Sequence, residues 1–187
     1  MRFPTCSTSQ RSAGFRRSHR GVTLVELMVT IAVLVILLTM AIPAFNLLEN
    51  RRLEGATQGV HDLIQLARTE AIKQAREMTV VFDEAAWCVG VTDREGCDCT
   101  LDDPGDVNAC TVVAGFDNGA EARAIRRVAG ENFRDVGLAS TTAEIRFDFV
   151  RGTATLNTSS PAVITLDNTL GRERTLNVST VGRISQP

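Results

Sequence analysis

An acidic residue stands directly ahead of a long uncharged run, and no other feature of this sequence restricts the fold as strongly. Glu26 is followed by Leu27–Leu48, 22 residues without an Asp, Glu, Lys or Arg. As a helix rising ~1.5 Å per residue, the run covers roughly the 30 Å hydrocarbon core of a bilayer, so it reads as a membrane span. An ionised carboxylate near the start of such a helix is costly in lipid and persists only where something pairs with it. The function is expected to begin with that pairing.

The flanks orient the span. Residues 1–21 carry Arg2, Arg11, Arg16, Arg17 and Arg20 and no acid, which keeps this end cytoplasmic and sends the C-terminal part outward. A secretory signal peptide would place a small-residue cleavage site after its apolar segment. Here the small residue, Gly21, comes before it. The stretch Gly21-Val22-Thr23-Leu24-Val25-Glu26 resembles the processing site of type IV prepilins and type II secretion pseudopilins, in which a membrane peptidase cuts after the glycine and methylates the new N-terminus. The resemblance makes 1–21 a cleaved leader and Val22 the first mature residue, with Glu26 fifth and Pro43 twenty-second, as in the family. Val22 itself departs from the pattern, since phenylalanine is commonest there.

Without the five leader arginines the chain keeps 15 basic against 22 acidic residues, which excludes a strongly basic nucleic-acid module. The ~140 residues after the span suffice for a core of their own. Pro43 removes a helix hydrogen bond and predicts a kink or a melted turn. From Arg51 to Glu77, Leu53, Ala56, Val60, Leu63, Ala67, Ala71 and Ala75 recur at helical spacing, while Gln58, Asp62, Gln65, Lys73 and Arg76 face elsewhere. A long helical spine is predicted, lipid-embedded over 22–48 and packed on a head (49–187) in its second half. Strand patterns follow: 79–82 and 87–91 as a hairpin, then 110–116, 122–129, 133–138, 144–149, 162–167 and 175–181, with turns at Asp117-Asn118-Gly119, Arg151-Gly152, Ser159-Ser160-Pro161 and Leu170-Gly171. The stretch 92–109 reads as an acidic loop.

Cys6 falls in the leader. Cys88, Cys97, Cys99 and Cys110 remain, an even number outside the cytoplasm, so two disulfides are expected. Cys97 and Cys99 are too close for an easy mutual bridge, which leaves each to pair outward with Cys88 or Cys110. Zinc is disfavoured, because the motif is Cys-x-Cys with no nearby histidine. Asp98, Asp102, Asp103 and Asp106 raise calcium, which some pseudopilins of other classes bind. They lack EF-hand spacing, and a solvated loop is the preferred reading, so neither metal nor cofactor is expected. The histidines, His19 in the leader and His61 on the spine, assemble no catalytic triad, and no enzyme is expected.

Further segments resemble the GspH/FimT family of minor pilins and pseudopilins: Glu26 to Val33, Ile42 to Phe45, Glu49 to Leu53, Leu66 to Ile72, Ile145 to Asp148 before Arg151-Gly152, and Thr175 to Ser179 before Gly182-Arg183-Ile184. The resemblance implies an α+β, type IV pilin-like fold, a helical spine on an antiparallel β head. It implies a single-pass protein of the bacterial inner membrane with a periplasmic head, whose partners are the prepilin peptidase, other minor subunits and a major subunit. Glu26 would meet the N-terminal amine of a neighbour during filament assembly. Thr30 to Val33 and Asn50 to Leu53 lean toward a type IV pilus serving adhesion, twitching motility or DNA uptake; the alternative is the H-type minor pseudopilin of type II secretion. Some competence-linked members carry a C-terminal Gly-Arg-x-Arg that contacts DNA. Gly171-Arg172-Glu173-Arg174 fits that pattern, so Arg172 and Arg174, with Arg183, are candidate DNA contacts, against which Glu173 and the net negative charge argue.

Overall fold

A computed structural model of the chain describes residues 21–157 and 160–186, with the side chains of 40–46 outside the described residues. The leader arginines, Cys6, His19 and Ser159 of the expected Ser159-Ser160-Pro161 turn also lie outside them. Two compact units divide the chain, Met1–Ala41 and Ile42–Pro187.

One helix, α1 (Leu24–Gln74), begins in the first unit and runs on into the second. Thr23 caps it: its Oγ1 accepts the Glu26 N–H at 3.2 Å, and its carbonyl accepts the Leu27 N–H at 3.0 Å. Beyond the cap the apolar side chains face outward, and Leu27, Ile31, Leu34 and Leu38 are each more than half exposed. The polar groups are closed off internally, since the Thr30 and Thr39 hydroxyls donate to Leu27 O and Ile36 O at 2.8 Å. Among the described residues no helix is long and apolar enough to cross a membrane. The span predicted over Leu27–Leu48 includes residues 40–46, whose side chains fall outside that description. α1 runs through Pro43 as one unbroken helix, so the melted turn that proline suggested is absent; the Pro43 side chain itself is outside the described residues.

In the second unit the predicted stripe of α1 is buried from Leu53 to Ala71, with Ala56, Val60, Ala67 and Ala71 fully inaccessible, as is Ile64, which the expected stripe did not include. Three alanines among these five let the helix approach the sheets closely. The stripe stops earlier than its spacing suggested. Ala75 is exposed and left-handed (φ 51°), and Arg76 N–H returns to Ala71 O at 3.2 Å, closing the helix at Gln74 rather than Glu77.

Eleven strands follow among the described residues: β1 (Met78–Asp83), β2 (Cys88–Thr92), β3 (Thr111–Asp117), β4 (Ala120–Ile125), β5 (Arg127–Ala129), β6 (Val136–Ser140), β7 (Glu144–Phe147), β8 (Ala154–Leu156), β9 (Ala162–Asn168), β10 (Glu173–Val178) and β11 (Ile184–Ser185). They form antiparallel sheets in the orders β5-β2-β1-β7-β8, β11-β10-β9-β6 and β3-β4. The expected β1–β2 hairpin is present, with Val80 opposite Val91 and Phe82 opposite Val89. Asn118 (φ 48°) and Gly119 (φ 84°) turn β3 into β4, as the Asn-Gly pair predicted.

Two sequence runs divide differently. The strand expected over 122–129 breaks at Arg126, whose backbone bonds to Cys110 and Val91, so β4 and β5 join different sheets. The one expected at 133–138 starts only at Val136, because a 3-10 turn over 130–132 under the Trp87 ring is followed by a second turn that ends on left-handed Asp135 (φ 65°). The short edge strands β8 and β11 lack an apolar run long enough to announce them. The main core joins the α1 stripe to Met78, Val80, Val89, Val91, Ile145 and Phe147 of one sheet and Ile164, Leu166, Leu176 and Val178 of another.

Candidate functional site

At the N-terminal end, the Gly21–Val22 bond lies in exposed, non-helical backbone just ahead of α1. No atom would crowd a Cβ built at Gly21, and Val22 is 65% exposed. A peptidase needs such an extended, uncrowded bond, and the Thr23 cap places it outside the helix. The sequence Thr23-x-x-Glu26 has the form of a capping box, in which the acid would fold back onto the cap. Only half of that box is made. The Glu26 N–H is bonded to Thr23, whereas among the described residues its carboxylate has no partner and stands exposed.

The cysteines pair as Cys88–Cys99 and Cys97–Cys110, with Cα separations of 5.8 and 4.9 Å. This pins the acidic loop across the outer face of β2, which is why all five β2 residues are buried. Cys88, Cys99 and Cys110 form a second small core. Gly90 makes it possible: a Cβ there would overlap the Cys110 sulfur. The loop acids are occupied locally. Asp98 Oδ1 accepts Thr100 N–H and O–H, Asp103 accepts Gly105 N–H, Asp106 accepts Asn108 N–H, and Asp102 pairs with Arg127. Among the described residues no three His, Cys, Asp or Glu side chains converge as a metal site would require.

A charged cluster, unforeseen from sequence, ties the end of α1 to the strands. Arg123 and Arg76 both bind Asp93, whose side chain is 3% exposed, and both reach Glu121. Burial pushes the Asp93 carboxyl up, but hydrogen bonding and charge from Arg123, a backbone N–H and Arg76 together hold it below its ordinary value. Glu70 is likewise lowered, first by the Gln74 amide, against some desolvation, and then by Lys73. That Gln74 amide also donates to Val113 O at 2.9 Å, securing β3. The alternation of charges along the chain carries no hint of these pairs, which bring together residues as far apart as 76 and 121.

The candidate arginines are not one patch. Arg172 and Arg183 sit at opposite ends of β10, roughly 20 Å apart at a strand's rise per residue. Arg174 lies against α1 beside Glu54, Thr57 and Gln58, whereas Arg183 lies with Ser160, Asn177 and Ser179. His61 lies on the α1 surface 3.3 Å from Asp62.

The motif at Gly21–Glu26, the long helix that follows it and the antiparallel sheets together place the chain in the pilin-like class of proteins. The chain matches the prokaryotic N-terminal methylation motif over residues 16–42. Over residues 56–182 it matches the model described as type II transport protein GspH, and it belongs to that family. Two crystal structures of the Pseudomonas aeruginosa type IV minor pilin FimU are similar in part. One is 17% identical with a TM-score of 0.48, covering 74% of this chain and 90% of that one. The other is 15% identical with a TM-score of 0.44, covering 72% and 91%. No curated protein matches the chain.

Proposed function

We propose that this protein is a minor pilin or pseudopilin, processed between Gly21 and Val22 and inserted as a structural, assembly-priming subunit at the tip of a type IV pilus-like filament. Its role is to assemble, not to catalyse. Before assembly it is anchored in the inner membrane with its head in the periplasm. The observation that carries this reading is the Glu26 carboxylate, which has no partner among the described residues and stands between a cleavable glycine bond and the uncharged run of α1.

The magnitudes decide its role. A charged group in a bilayer costs roughly 3 kcal/mol on insertion scales, and a unit charge pair at ~4 Å recovers about 4 kcal/mol at an effective dielectric of ~20. The cation created by cleavage, the Val22 amine of a neighbouring subunit, is the partner of that size. Glu26→Ala should therefore still insert yet fail to enter filaments, as read by immunoblot of membranes and of sheared filaments; normal incorporation refutes the role. Mass spectrometry of the membrane-extracted protein should show a methylated N-terminus at Val22.

A second reading, the H-type minor pseudopilin of type II secretion, is favoured by the family description itself. Deleting the gene separates the two machines. Loss of twitching or transformation supports the pilus, and loss of exoprotein secretion supports the secretion filament.

A further inference from the structure

We infer that the β9–β10 turn, Leu170-Gly171-Arg172, is a second membrane contact, which seats the base of the head on anionic phospholipid headgroups while the chain is anchored. The inference rests on reading the apolar run as a bilayer anchor and adds a site to it.

Position is the first argument. The turn is fastened to α1 where the uncharged run ends: Thr169 Oγ1 donates to Glu49 Oε2 at 3.0 Å, and Asn168 Nδ2 lies 3.5 Å from Asn50 Oδ1. Glu49 directly follows Leu48, and Leu47 and Leu48 are 59% and 49% exposed. A helix whose apolar residues end at Leu48 puts Glu49, and with it this turn, at headgroup depth.

Composition is the second. Leu170 stands 43% exposed at the tip, next to an exposed Arg172 that has no carboxylate within ion-pair distance among the described residues. An apolar side chain beside a cation is what an interfacial contact uses.

The third is rigidity. The buried Asn168 side chain accepts the N–H groups of Leu170 and Arg172 at 3.1 and 3.0 Å, and its backbone N–H donates to Arg172 O at 3.0 Å. Gly171 supplies the left-handed residue (φ 71°) that closes the turn. Leu170 is thus held outward instead of folding back on the head. Duplex DNA fits less well, because Arg183 lies at the far end of β10 and cannot share a phosphate track with Arg172. When the subunit leaves the bilayer this contact breaks, so the turn holds the head down until extraction.

The test uses the full chain reconstituted in vesicles of phosphatidylcholine alone or with phosphatidylglycerol, each with brominated acyl chains. Leu170→Trp reports depth by bromine quenching, and wild-type Trp87, packed on Phe133, gives the background. Quenching well above that background is expected in anionic vesicles, with Arg172→Ala lowering the docked-to-free ratio about fivefold, the effect of one juxtamembrane cation worth ~1 kcal/mol. If the chain floats with the vesicles but L170W is no more quenched than wild type, or is quenched equally without phosphatidylglycerol and in R172A, this inference alone is overturned. Duplex DNA retained on the vesicles by Arg172, without quenching, also overturns it. A chain that does not float removes the anchor reading, and the inference with it.

Discussion

Breaking the Cys97–Cys110 bridge should cost the head about 3 kcal/mol without changing its fold. The bridge closes a segment of sequence separation 13, and Cys88–Cys99 one of 11. Loop-closure entropy for segments of this length is worth ~3 kcal/mol each. A head of ~140 residues unfolds with an entropy of roughly 0.3 kcal/mol/K, so each bridge should raise Tm by about 10 °C. The assay is thermal unfolding of the full chain in detergent, followed by fluorescence of Trp87, the only tryptophan and the residue next to Cys88. Reduction removes the cross-links and keeps the sulfur atoms in place. Cys97→Ala/Cys110→Ala also removes the sulfur that packs over Gly90, so it should lose slightly more than its own share of the reduction effect. A fall of less than about 2 °C on complete reduction would mean that the loop is held by its Asx turns and the Arg127–Asp102 pair, and the reasoning from loop entropy would be wrong.

Three further outcomes follow from the packing. Gly182→Ala places a Cβ on Gly152 O at φ 74° and should cost several kcal/mol, whereas Gly171→Ala, at φ 71° in open space, should cost only about 1; urea unfolding of the two variants measures the difference. Asp93→Asn leaves Arg123 with Glu121 as its one carboxylate among the described residues, beside its bonds to Thr111, and should destabilise by roughly 3 kcal/mol, read by the same titration. Because the folded Asp93 carboxyl lies below its ordinary 3.8, its contribution is complete above about pH 4 and disappears as pH falls through the folded value, so the wild type should lose more stability than Asp93→Asn below pH ~4.

Local and near-local signals were legible in the residues alone. The Gly21–Glu26 motif is contiguous, the α1 stripe repeats with helical period, the Asn118-Gly119 turn needs two left-handed residues, and four cysteines in a segment expected outside the cytoplasm call for two bridges. Ala75 misled because its spacing continued the stripe, while the backbone had already turned left-handed to close the helix. Arg126 misled because the run from Ala122 to Ala129, small and branched apolar residues mixed with arginines, does not show where two sheets part.

Sequence alone determined the class of this protein: a carboxylate at the head of an uncharged run behind a glycine is chemistry written within a few residues, and its consequences do not depend on how the remainder folds. Tertiary structure alone decided which cysteines meet, that Asp93 is buried between Arg76 and Arg123, and that Thr169 ties the β9–β10 turn to Glu49 while Arg183 lies at the far end of β10. These are contacts between residues tens of positions apart, set by sheet order and register. Periodicity reports which face of an element is apolar, but not which other element that face will meet.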